Sequence, residues 1–81
     1  MKAKADVPFA PLNIAVLTVS DTRTLETDTS GQVFVERLGA AGHRLAARVL
    51  LKDDLYKIRA QVATWIADDV VQVVLITGAV S

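Results

Sequence analysis

Hydroxyls, a carboxylate and a guanidinium crowd together at Thr18, Ser20, Asp21, Thr22 and Arg23. They follow the apolar run Ile14-Ala15-Val16-Leu17, which shows no alternation with polar residues. Such a run predicts a strand buried on both faces, as at the centre of a parallel sheet. In open α/β sheets, ligands bind off the carboxyl ends of the strands, where strand order reverses. Two more clusters stand at comparable places. Asp53 and Asp54 follow a second apolar segment, and Thr77 and Gly78 follow a third.

Each cluster has a plain reading beside a chemical one. Asp21-Thr22 reads as a turn after a strand, or as the edge of a ligand site. Asp28-Thr29-Ser30-Gly31 reads as a helix cap. The same four residues also suit an anion, because free N–H groups and the helix dipole both favour negative charge there. Asp53 and Asp54 read as an N-cap with a favourable first-turn charge, or as a carboxylate for Mg²⁺ or proton transfer.

Five elements must position these groups. Residues 12–20 are predicted as the first strand, with its core at 13–19. Residues 21–30 form a polar loop whose only apolar side chain is Leu25. That exceeds the usual span of about 2–6 residues for a βα connection, and long loops tend to carry function. A helix follows from Thr29 or Ser30 to about residue 41, burying Phe34, Leu38 and Ala41 and stopped by Gly42. His43 reads as a surface residue with no partner in view. Residues 44–51 form the second strand, whose alternation puts Arg44 and Arg48 on one partly solvated face, as at a sheet edge. Residues 54–67 carry the stripe Leu55, Ile58, Val62, Trp65 and Ile66 of an amphipathic helix, with Trp65 in the core. Asp68 and Asp69 end that helix, and residues 71–77 make the third strand. The expected fold is therefore α/β, a three-layer βαβαβ unit with a parallel sheet in the order 2-1-3.

Composition narrows the functional classes. With 81 residues the chain is one domain, or part of one. Hydrophobic residues make up 52% and charged residues 22%, a globular balance. Nine basic residues equal nine acidic ones and are dispersed, so neither a nucleic-acid footprint nor a membrane-binding patch is expected. No apolar run reaches the roughly 18–20 residues of a membrane helix. The absence of cysteine fits a cytoplasmic protein. Residues 1–11, with Pro8 and Pro11, read as a flexible N-terminal tail leading into the first strand. The third strand is apolar on both faces with nothing beyond it, so residues 12–81 read as the first half of a larger α/β domain.

The segments Val16-Leu17-Thr18-Val19-Ser20-Asp21-Thr22-Arg23, Asp28-Thr29-Ser30-Gly31, Ala41-Gly42-His43 and Val74-Leu75-Ile76-Thr77-Gly78 resemble the MoaB/MogA family of molybdenum cofactor biosynthesis. The resemblance is closest to MoaB and covers about residues 12–78 with consistent spacing. It implies an α/β domain that binds molybdopterin and assembles as a trimer or hexamer. It also implies transfer of AMP from ATP·Mg²⁺ to the pterin's terminal phosphate, with release of pyrophosphate. By position, Thr18, Ser20 and Asp21 fall where the family's first strand meets its ligand; Ser30 and Gly31, at the capped helix N-terminus, are the candidates to hold its phosphate. Asp53 falls on a functionally important aspartate, and Thr77 and Gly78 begin the family's Thr-Gly-Gly-Thr-Gly loop. Here that loop reads Thr77-Gly78-Ala79-Val80-Ser81. The expectation is a chain of molybdenum cofactor biosynthesis that binds molybdopterin and does not transfer AMP by itself, with a non-catalytic molybdopterin- or phosphate-binding or oligomerising fragment as the alternative.

Overall fold

A computed structural model of the chain describes residues 10–78. The expected N-terminal tail lies outside these residues up to position 9, as do Ala79, Val80 and Ser81 of the expected ligand loop. Three strands, β1 (Asn13–Val19), β2 (Arg44–Leu51) and β3 (Val73–Gly78), alternate with two helices, α1 (Thr29–Ala40) and α2 (Leu55–Ala67). The strands pair in parallel in the order β2-β1-β3. The order and the layers are those expected from the sequence.

β1, apolar on both faces, is central and is covered on both. Residues 14–19 are all buried. Ala15, Leu17 and Val19 turn to α2 and meet Trp65, with Ala47, Val49, Leu51, Ile58, Val62 and Val74 packed around them. Ile14 and Val16 turn the other way and meet Leu38 of α1, with Phe34, Val35, Val73 and Leu75. Each fully buried side chain of this size contributes about 1.5–3 kcal/mol. The single strand thus ties two small cores together.

The helix ends follow from their capping residues. The Asp28 carboxylate accepts from Gly31 N–H at the start of α1. Asp54 accepts from the N–H groups of Tyr56 and Lys57 at the start of α2. At the far end of α1, Gly42 takes φ +89°. His43 N–H then reaches Leu38 C=O at 2.8 Å, and Gly42 N–H reaches Gly39 C=O at 3.0 Å. These are the two bonds of a Schellman stop.

Four expectations need correcting. Ala41 is the exposed cap residue of α1, not part of its buried face, and Val35 packs against the core in its place. Leu55 and Ile66, the outer members of the α2 stripe, are 63% and 77% exposed, whereas Ile58, Val62 and Trp65 between them pack onto the sheet. His43 has a partner, since its Nδ1 accepts the N–H of Leu12 at 3.0 Å and secures the entry to β1. β3 begins at Val73 because Val71 and Val70 are still held in a turn by Asp68.

A fifth correction, the most consequential, lies in β2. β1 pairs Ile14 with Leu45 but Ala15 with Ala47, so Ala46 is skipped in a bulge-like irregularity. One extra residue reverses the facing of what precedes it. Arg44 pairs with Asn13 and Arg48 with Val16, so the two arginines lie on opposite faces. Arg48 therefore projects on the α1 side, where its side chain is 19% exposed.

Candidate functional site

The parallel register brings the three strand ends level. Val19 pairs with Leu51 on one side and with Gly78 on the other. Whatever follows these residues meets at one rim of the sheet. Ser20 extends the ladder by one bond, its N–H donating to Leu51 C=O at 2.8 Å. Its hydroxyl then accepts the N–H groups of Thr22 and Arg23 at 3.3 and 3.1 Å, which turns the chain away from the sheet. The long loop is thus an ordered turn. A second one follows, where Thr27 Oγ1 accepts Thr24 N–H at 2.9 Å.

The loop returns to α1 through Asp28, a buried carboxylate with three kinds of partner. One oxygen accepts the Thr18 hydroxyl, and the other accepts Gly31 N–H at 3.0 Å. Arg48 completes the set, its guanidinium 3.4 Å from Oδ2 and 3.1 Å from the Asp28 carbonyl. The same guanidinium donates to Gln32 Oε1 at 3.1 Å. Burial works to raise the Asp28 pKa. The bonds from Thr18, Gly31 and Arg48 outweigh it and hold the carboxyl below its ordinary range. Gly31 must be glycine here, because a Cβ would lie 2.6 Å from Thr18 Oγ1 and would overlap the Asp28 carboxylate.

Above this network lies an open cleft of about 110 Å³, lined by Thr18, Val19, Ser20, Arg23, Asp28, Ser30 and Gly78. Arg23 leans over it with its guanidinium donating to Thr29 Oγ1 at 3.0 Å. Gly78 closes the other side at φ +91°, packed against the Val19 carbonyl so tightly that a Cβ has no room. Hydroxyls, a guanidinium and the first turn of α1 suit the cleft to an anionic oxygen group.

The residues singled out from the sequence divide into three sets. Thr18, Ser20, Ser30 and Gly78 line the cleft. Gly31 sits beneath it against Asp28, and Thr77 pairs with Thr18 without reaching the lining. Asp21 and Asp53 stand together on the neighbouring stretch of rim, where Asp21 Oδ1 accepts Asp53 N–H at 3.0 Å. Both are exposed, and neither lines the cleft. Among the described residues no three His, Cys, Asp or Glu side chains gather as a metal cage. Arg48 escaped sequence reasoning because only the irregular register at Ala46 turns it toward Asp28. Arg23 was visible beside Asp21, but nothing in the sequence indicated that it would fold back over the α1 N-terminus.

A family model described as a probable molybdopterin binding domain matches residues 15–81, most of the chain and all of this rim. The chain belongs to that family. Among relatives of this molybdopterin-binding-domain chain, molybdenum cofactor biosynthesis protein B of Escherichia coli strain K12 is 47% identical over 76 residues. That alignment covers 94% of this chain and 45% of the relative. The protein of the same name from Bacillus subtilis strain 168 is 41% identical over 63 residues, covering 78% of this chain and 37% of the relative. A crystal structure of molybdenum cofactor biosynthesis protein B superimposes with a TM-score of 0.79 at 39% identity, covering 83% of this chain and 42% of that one. The chain therefore spans about half the length of the curated relatives it matches or less. No helix among the described residues is long and apolar enough to cross a membrane.

Proposed function

We propose that the chain serves molybdenum cofactor biosynthesis by binding molybdopterin through its terminal phosphate in the cleft at the carboxyl end of β1. The observation that carries this reading is the lining itself. Ser20, Ser30, Arg23 and Gly78 converge there within a chain of the molybdopterin-binding family. Ser20 and Ser30 would donate hydroxyl bonds to the phosphate, and Arg23 would neutralise part of its charge. Thr18 would hold Asp28 in place below.

In this reading the full reaction is adenylyl transfer with ATP·Mg²⁺ as co-substrate. A phosphate oxygen of molybdopterin attacks the α-phosphorus of ATP. A new P–O–P linkage forms, the bond to the β-phosphate breaks, and pyrophosphate leaves. Such transfers depend on positioning and charge stabilisation more than on covalent help. Asp53, steadied by Asp21, is the proposed catalytic carboxylate, and it would face the nucleotide from the rim beside the cleft. Mg²⁺ bound to phosphates needs only one or two protein carboxylates, so the absence of a dedicated cage among the described residues is compatible with this role. Thr77 and Gly78 would lead into the loop that completes the site.

The proposed compartment is the cytoplasm, in keeping with a chain without cysteine. Self-association is part of the proposal. Leu55, Tyr56, Ile66, Val70 and Ile76 are all more than half exposed, apolar positions that an assembled partner would cover.

The test is fluorescence titration of the 81-residue chain with molybdopterin, followed by an assay for AMP-pterin with ATP and Mg²⁺. Saturable binding weakened by Ser20→Ala and Arg23→Met supports the reading. Absence of molybdopterin binding sinks it. Binding without transfer is the outcome expected of this chain by itself; the same outcome for a version extended through the family's second half favours the alternative, a non-catalytic molybdopterin- or phosphate-binding fragment, for which the cleft alone suffices.

A further inference from the structure

We propose that Arg48 sets the sign of the cleft. Without entering the lining, it cancels the Asp28 charge from below, so that Arg23 alone determines the charge an incoming anion meets. For the identity of the natural ligand this rests on the molybdopterin reading; for the charge logic it rests only on the geometry.

The cleft lining contains two charged side chains, Arg23 and Asp28. Left to themselves they would cancel, and the carboxylate would be the deeper of the two. A buried carboxylate at the floor repels a phosphate at short range, where screening by salt is weak. Arg48 lies 3.4 Å from that carboxylate and is held there by Gln32 Oε1 and the Asp28 carbonyl. Its own bonds are all to α1 and the preceding loop, so its charge is spent on Asp28 rather than offered to a ligand. The cleft with Arg23, Asp28 and Arg48 carries a net +1. Losing Arg48 makes it neutral with a negative floor, and losing the Asp28 charge makes it +2. The skipped residue Ala46 is the structural cause, because an unbroken ladder would turn Arg48 to the α2 face.

A structural role and a charge role predict different orders of affinity. The measurement is calorimetric titration with inorganic phosphate at low ionic strength, on wild type, Asp28→Asn, Arg48→Met and the double variant. If Arg48 sets the sign, Asp28→Asn binds phosphate severalfold more tightly than wild type. Arg48→Met then binds about tenfold more weakly, the scale of one unit charge at an effective dielectric of about 20 after screening. The double variant returns to near the wild-type value, and Arg48→Lys stays close to wild type throughout. Both single variants weakening, with the double variant weakest, would show a purely structural latch and overturn the proposal. So would phosphate binding unchanged in Arg48→Met, or no phosphate binding by the wild type. Should Arg48→Met fail to fold, the Asp28→Asn comparison decides, with tightening in support and weakening against. Titration of the wild type with molybdopterin separates the two readings. The expected phosphate order without molybdopterin binding removes the ligand assignment alone, and molybdopterin binding with the wrong order removes this inference alone.

Discussion

The Asp21 carboxylate accepts the backbone N–H of Asp53 at 3.0 Å, joining the loop after β1 to the loop after β2 across 32 positions of sequence. One oxygen of Asp21 is thereby committed to holding its neighbour. Asp21 is in this geometry the support, and Asp53 carries the carboxylate proposed to meet the nucleotide.

That division of roles can be measured. Asp21→Asn keeps an acceptor for the Asp53 amide, whereas Asp21→Ala removes it. An exposed bond of this kind contributes about 0.5–1.5 kcal/mol net. Amide hydrogen exchange at Asp53 is expected to speed up several-fold in Asp21→Ala and to change little in Asp21→Asn. Equal protection in all three proteins would mean the contact is not maintained in solution.

Gly31→Ala is expected to destabilise the fold although alanine is the better helix former. The gain in helix propensity is at most about 1 kcal/mol. Against it stands a Cβ 2.6 Å from Thr18 Oγ1, overlapping the carboxylate that Thr18 and Arg48 both hold. Overpacking of a closed site costs about 1–3 kcal/mol. Because the atoms in the way belong to a bonded network rather than to a flexible chain end, the clash should win. Urea denaturation reads the sign directly, and a stabilised Gly31→Ala would show that Asp28 can move aside.

Much of this architecture was legible in the sequence, for local reasons. The unbroken run from Ile14 to Leu17 announced the central strand, and Asp28, Asp54 and Gly42 announced helix ends through their own capping chemistry. The order of the strands followed from which of them could tolerate two covered faces. The misread features with the largest consequences depend on long-range partners. The facing of Arg48 turns on one skipped residue in the pairing with β1. His43 bonds to Leu12, 31 positions away. Exposure of Leu55 and Ile66 depends on how far the sheet extends beneath α2, which periodicity along a helix does not encode. The site residues share the one rim expected for Asp21, Asp53 and Gly78, and on it the two carboxylates stand beside the cleft that Ser20 and Ser30 line.

Gly78→Ala should act on both stability and binding. A residue with a side chain at φ +91° costs about 1–2 kcal/mol on backbone grounds. The added methyl also meets the Val19 carbonyl, which is backbone and cannot rotate away. The end of β3 must then shift from β1, and the cleft wall moves with it. The expected result is a lower melting temperature together with weaker phosphate binding. Loss of stability with binding intact would place Gly78 in the scaffold only.

Acid should act on this protein through Asp28, and the sign can be worked out. Burial alone would raise the carboxyl's pKa, but the bonds from Thr18, Gly31 and Arg48 win and lower it beneath the ordinary value of 3.8. A group whose folded pKa is depressed binds its proton less readily in the folded state than in the unfolded one. Its stabilisation is therefore complete above the unfolded value and is lost as pH falls through the folded value. Asp28→Asn keeps the shape without the titration, leaves Arg48 unneutralised, and is expected to be less stable than wild type by about 1–3 kcal/mol at neutral pH. Other carboxylates titrate alike in both proteins and cancel in the difference. The stability gap between wild type and Asp28→Asn should thus hold steady from pH 7 to about 5 and narrow steadily below about 4. Urea titrations at half-unit pH steps would trace it. A gap that stays constant to pH 3 would mean that Asp28 gains nothing from its charge in the fold, and that its role is confined to shape.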